Sequence, residues 1–312
     1  MQNLILSFNI ILPLFLLMVL GYFLKAVGML DKTTLKKMNS LIFKAFLPCL
    51  IFYNVYTSEI SDMFDKRLVV FSVASVVASF IVLMAVIPLI EKDNKKRGVI
   101  IQGIFRSNFV IFGIPLSVAL YGDGIVGSAA VLIAIVVPVF NFLAVLTLEV
   151  FRGGKPDMGK IARGIVTNPL IISSLVGLSA MAVGLKFPSP IEKAIGDVSK
   201  ITTPLALIVL GGSMDFKKIG GNAKQLAMSV VGRLVLVPCI FLPLAVYLGF
   251  RNAELAILIS LFASPTAVSS FSMAQQMGGD DELAGQIVVF NTSLCVLTVF
   301  LWIFVLKQIG VM

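Results

Sequence analysis

Apolar runs of about 18 residues or more recur from one end of this 312-residue chain to the other. In hydrocarbon a backbone must satisfy its own hydrogen bonds, and a succession of such runs does so as helices. The fold class is therefore an all-α polytopic membrane protein. Composition agrees, with 58% hydrophobic and 13% charged residues, where soluble domains hold about 45–50% and about 25%. No segment between the runs is long enough to fold a soluble domain.

The net charge of +9 would suit a nucleic-acid partner, but Lys and Arg fall in short clusters between apolar runs. Orientation signals have that distribution, so no nucleic acid is expected. Cys49, Cys239 and Cys295 all lie within apolar runs, and the chain has no histidine. No disulfide framework, metal site or cofactor is expected. The first run lacks the basic start of a signal peptide and reads as a retained helix.

Hydropathy places ten spans, at 5–25, 37–56, 67–90, 99–120, 125–149, 164–184, 198–213, 224–249, 253–276 and 283–306. Fifteen Lys and Arg border the loops after odd-numbered spans, whereas seven border the termini and the even loops. The positive-inside rule then puts both termini on the non-cytoplasmic side of a cell inner (plasma) membrane.

Prolines and glycines reveal an internal repeat. Pro13 and Pro169, Pro48 and Pro204, Gly21 and Gly177, and Gly28 and Gly184 share one offset. From the third span the offset shortens by six, pairing Pro88 with Pro238, Pro115 with Pro265 and Asn141 with Asn291. Random placement gives about a quarter of one proline coincidence per offset, so the match reflects a repeat. Residues 1–150 form the first five-helix repeat, 151–163 a short cytoplasmic linker and 164–312 the second repeat. Five spans per half makes the two halves inverted, as in many secondary transporters.

The stretch NFVIFGIPLSVALYGDG, residues 108–124, interrupts the fourth span. Proline removes a helix hydrogen bond and clashes with the preceding turn. A break is expected at Gly113–Pro115 and a matched one at Ser264–Pro265 in the ninth span, the two crossing near mid-membrane. Asn108 and the turn Ser264, Pro265, Thr266 are candidate substrate contacts, with Asn141 and Asn291 facing them. Ser264 would cap the second half-helix with Pro265 in its first position, presenting free N–H groups to a carboxylate. Three cations lie within spans. Lys44 and Arg106 are close enough to a cytoplasmic end to snorkel, whereas Arg233 is deeper and is the candidate electrostatic aid to an anion. No Asp or Glu lies well inside any span, so a carboxylate proton relay or sodium site has no evident residues.

Asn108-Phe-Val-Ile-Phe-Gly113-Ile-Pro115-Leu116, followed by Tyr121-Gly122-Asp123, closely resembles the fourth helix of the auxin efflux carrier family. Asn168-Pro169 at the start of the sixth span, and Ser264-Pro265 followed by a run to Gly279-Asp280, are similar to its pattern too. The resemblance covers essentially the whole chain. It implies ten helices with two crossed, proline-broken ones, an elevator-like cycle, and contact between Asn108 and a substrate carboxylate. The long hydrophilic loop of many plant members is absent, so regulation through it does not carry over.

The expected function is secondary-active transport of small organic anions, mono- or dicarboxylates, with the bilayer as surroundings and homodimerisation left open. A sodium-coupled organic-anion symporter of the bile-acid type is the alternative, followed by an anion channel. An enzyme is not expected. A rhomboid-type protease needs His, and the Met-Gly-Gly-Asp at 277–280 lies at a helix end without a membrane-embedded partner Asp.

Overall fold

The computed structural model describes residues 2–58, 65–153, 158–215 and 220–312. It is all-helical: α1 (Gln2–Ala26), α2 (Lys32–Leu41), α3 (Leu47–Tyr56), α4 (Lys66–Ile90), α5 (Asn94–Phe105), α6 (Phe109–Tyr121), α7 (Val126–Val150), α8 (Met158–Val166), α9 (Pro169–Ala182), α10 (Ser189–Ser213), α11 (Ala223–Val231), α12 (Val237–Tyr247), α13 (Asn252–Phe262), α14 (Ser269–Met277) and α15 (Asp281–Gln308). Among the described residues six continuous helices are long and apolar enough to cross a membrane. A seventh arises if α8 and α9, bent by 51°, form one span. Of the expected linker, 154–157 lies outside the described residues, and α8 begins within the remainder.

Local chemistry accounts for the bends. Asn168 caps α9 by accepting from Leu170 N at 3.0 Å, and Pro169, which needs no amide partner, takes the first helical position. A π-turn, Ile42–Phe46, joins α2 to α3 just ahead of Pro48, and another, Gly232–Leu236, joins α11 to α12 ahead of Pro238. The wider turn moves backbone carbonyls away from the proline ring that would otherwise clash with them.

The helices pack in two sets. In the first, α1 lies on α10, α3 on α9, and α10 on α3. The α1–α10 approach is backbone to backbone: a Cβ at Gly21 would sit 1.9 Å from Ile208 O, and one at Gly211 1.9 Å from Met18 O. Only glycine fits there. In the second set α4 packs on α5, α12 on α13, α6 on α7 and α13, and α14 on α15. Apolar side chains face outward, Leu89 and Tyr247 among them, as lipid contact requires.

The interruption expected at Gly113–Pro115 lies elsewhere. Helix α6 runs through both residues, with Pro115 exposed, and the chain leaves helix at Arg106–Asn108 instead. An unwound backbone buried in a membrane protein needs a partner. Residues 106–108 have one, because they run antiparallel to 263–268: Ser107 pairs with Thr266, and Asn108 N donates to Pro265 O at 2.8 Å. Gly113 faces its own first turn, where a Cβ would meet the Phe109 ring at 2.8 Å.

Candidate functional site

Four half-helices meet where these two extended segments pair. The carbonyl ends of α5 and α13 lie on one side. Arg233, 1% exposed, reaches them from its π-turn and donates to Ser264 O and Leu261 O at 2.8 Å, Ile104 O at 3.2 Å and Phe105 O at 3.4 Å. A cation suits helix C-termini, where partial negative charge gathers. Thr266 adds a bond from its hydroxyl to Gly103 O at 2.5 Å, and accepts from Asn291 Nδ2 at 2.7 Å.

The amide ends of α6 and α14 lie on the other side, beside a cavity of about 70 Å³. It runs between the two helix sets. Leu47, Leu50, Ile51 and Asn54 of the α3 region and Thr202, Thr203 and Ala206 of α10 form one wall. Arg106, Ser107, Asn108, Phe140, Asn141, Ala267, Val268 and Ser269 form the other. Such a volume holds several waters or a small organic ion, since one water needs about 10–15 Å³.

Two amides dominate the polar wall. Arg106 Nη2 donates to Asn141 Oδ1 at 2.6 Å. A guanidinium only donates, so this bond fixes the amide's orientation and leaves Nδ2 as the free end. Asn141 Nδ2 is buried with no partner, and so is Asn108 Nδ2. Asn108 precedes α6 in the N-cap position, but its side-chain oxygen does not cap the helix.

Of the residues expected at the site, Asn108 and Asn141 line the cavity. Pro265, Ser264, Thr266 and Asn291 belong to the framework behind it, and Gly113 and Pro115 lie along α6. Ser264 and Pro265 do not open the second half-helix. Helix α14 begins at Ser269 with Val268 as an unassisted cap, and Ser264 gives its carbonyl to Arg233. Arg233 is absent from the cavity wall, because carbonyls occupy its guanidinium. Arg106 does not snorkel: it is 4% exposed and lines the cavity, the α5 break having turned it inward. Lys44 is exposed, as expected. Sequence reasoning missed Ser107, Asn54, Thr202 and Thr203; the Thr-Thr pair before Pro204 was the available signal.

Beyond the cavity α14 is tied to α2. Asn39, fully buried, donates to Gln275 Oε1 at 2.8 Å and accepts from the Ser272 hydroxyl at 2.6 Å, while Gln275 Nε2 donates to Asp281 at 2.8 Å. These bonds tie α2 to α14.

Comparison with known proteins gives the family. An uncharacterized transporter of Methanocaldococcus jannaschii is 23% identical over 301 residues, covering 94% of this chain and 97% of its own. A Rhizobium meliloti protein named "Putative malonate transporter" is 25% identical over 303 residues, covering 93% of each chain. The uncharacterized transporter YfdV of Escherichia coli K12 is 22% identical over 314 residues, covering 96% of this chain and 98% of its own. Residues 6–303 match the family described as "Membrane transport protein". The chain is thus a transporter rather than an enzyme, and it belongs to that family, the auxin efflux carrier family its fourth-span motif resembles.

Proposed function

We propose that the chain is a secondary-active carrier of small organic anions, mono- or dicarboxylates, which bind at the crossover on the side of the α6 and α14 amide ends. The observation that carries this reading is the pair of buried, unpartnered donors, Asn108 Nδ2 and Asn141 Nδ2, on two residues that line one cavity. Buried donors without partners are rare and costly, about 1–3 kcal/mol each, and a carboxylate relieves both. Two helix N-termini beside them add partial positive charge. The malonate in the Rhizobium relative's name agrees with a small carboxylate.

The proposed frame is ten spans in a 5+5 inverted repeat, with α5–α6 and α13–α14 as the crossed, broken pair and both termini non-cytoplasmic in the plasma membrane. Packing supports the repeat, because its contacts survive exchange of the halves: α1 on α10 matches α9 on α3, α4 on α5 matches α12 on α13, and α6 on α7 matches α14 on α15. The cavity between the two sets suits alternating access by an elevator-type slide of one set past the other.

A thermal-shift screen of purified protein against mono- and dicarboxylates, followed by counterflow in proteoliposomes with the best binder, tests the function. Saturable counterflow is expected, whereas conduction without saturation would indicate a channel. Cysteines at Gly124 and Gly153 test topology. The first should react with an impermeant thiol reagent only from outside and the second only from the cytoplasm.

A further inference from the structure

A cation buried in a membrane-spanning bundle is expensive and is normally found with a counter-charge or a functional ligand. Among the described residues Arg106 has no counter-charge. It is 4% exposed, its Nη2 donates to Asn141 Oδ1, and its Nη1 lies against the Met273 sulfur, a weak acceptor. None of the residues lining its cavity is acidic. Ion pairs such as Arg152–Glu149 and Lys193–Asp197 lie elsewhere among the described residues. Arg233 shows what a purely structural arginine looks like in this protein, with four carbonyls around one guanidinium. Arg106 instead brings a full charge to the cavity wall and shares it with one neutral amide.

We propose that Arg106 is the specificity-determining residue of the crossover, supplying the positive charge that selects ionised carboxylates over neutral molecules of the same shape. The inference rests on the cavity being the anion site and adds what that site discriminates. A carboxylate there would accept from the guanidinium N–H groups that Asn141 and Met273 leave unused and from the unpartnered amide ends of Asn108 and Asn141. Asn141 acts as a positioning residue, since its oxygen holds the guanidinium toward the cavity while its nitrogen stays available.

The test compares full-length purified protein and Arg106→Gln for binding of acetate, malonate and succinate against acetamide, malonamide and succinamide. Gln is shorter than Arg but keeps a planar amide donor, and it removes the charge. Wild type should prefer at least one carboxylate over its amide by roughly 30-fold or more, about 2 kcal/mol at 1.4 kcal/mol per decade. Arg106→Gln should reduce that preference to within about threefold with its melting temperature retained. An unchanged preference in Arg106→Gln overturns the proposal while leaving the anion site intact. Wild type that binds none of the three carboxylates overturns the anion site, and the role of Arg106 with it. Should Arg106→Gln not fold, Arg106→Lys decides. Lysine keeps the charge without the fork, so weaker binding with the carboxylate preference retained is expected, and a lost preference contradicts the proposal.

Discussion

Arg233 and Arg106 stand on opposite sides of the same crossover. The first ends on four backbone carbonyls at the C-termini of α5 and α13; the second ends on one side-chain amide and a sulfur beside the N-termini of α6 and α14. Both are buried, and both would read alike in a hydropathy plot. The difference follows from helix polarity. Unwinding two helices exposes carbonyls on one side and amides on the other. A resident cation can close the carbonyl side permanently. The amide side suits an anion, and no acidic side chain lines the cavity there. One side is finished by the protein itself; the other, in the reading proposed here, is left for a ligand.

The largest expected effect breaks the finished side. Arg233→Ala leaves four carbonyls without their donor, a loss of at least about 4 kcal/mol, which falls among the largest single-residue effects. Little monodisperse protein should be recovered, and a melting temperature equal to wild type would show that Arg233 is not the staple. A smaller loss is expected at the tie between α2 and α14. Asn39→Ala strands the Ser272 hydroxyl and the Gln275 amide, costing about 1–3 kcal/mol in thermal unfolding. An unchanged melting temperature would mean that water replaces Asn39 there. The smallest concerns Pro115. It lies inside α6 with its ring exposed, so Pro115→Ala should change stability by less than about 1 kcal/mol and leave counterflow intact. Lost transport in a well-folded Pro115→Ala protein would restore the proline to the site and blur the distinction between the two sides.

Much of the helix pattern was legible in the sequence. The apolar runs at 67–90, 125–149 and 283–306 end within two residues of α4, α7 and α15, because a lipid-facing helix is written in local composition. Asn168-Pro169, which the family pattern placed at the start of the sixth span, caps and opens α9. Asn108 and Asn141 were legible as polar residues inside spans and as part of the family motif or the repeat. The ninth-span break at Ser264–Pro265 was legible too, but the fourth-span break was not, because a proline records only the local cost of helix. Whether helix gives way depends on a partner strand, and Ser107 meets Thr266 from a segment 159 positions away. The roles of the two arginines were hidden for the same reason. Snorkelling and deep burial differ by which way the chain turns after α5, and that turn is set by residues 263–268 of the other half. Sequence periodicity has no access to that pairing.

The central claim is that the amide side of the crossover holds the anion, and Asn108 tests it most directly. Its Nδ2 is buried, unpartnered and beside the cavity, so removing it disturbs no existing side-chain bond. The measurement is the dissociation constant of the best carboxylate ligand together with the melting temperature, both on Asn108→Ala. A hydrogen bond to a charged group contributes about 1.5–3 kcal/mol, so affinity should fall roughly 10- to 150-fold while the melting temperature of the ligand-free protein stays near that of wild type. Unchanged affinity with a lowered melting temperature would make Asn108 a packing residue and contradict the claim.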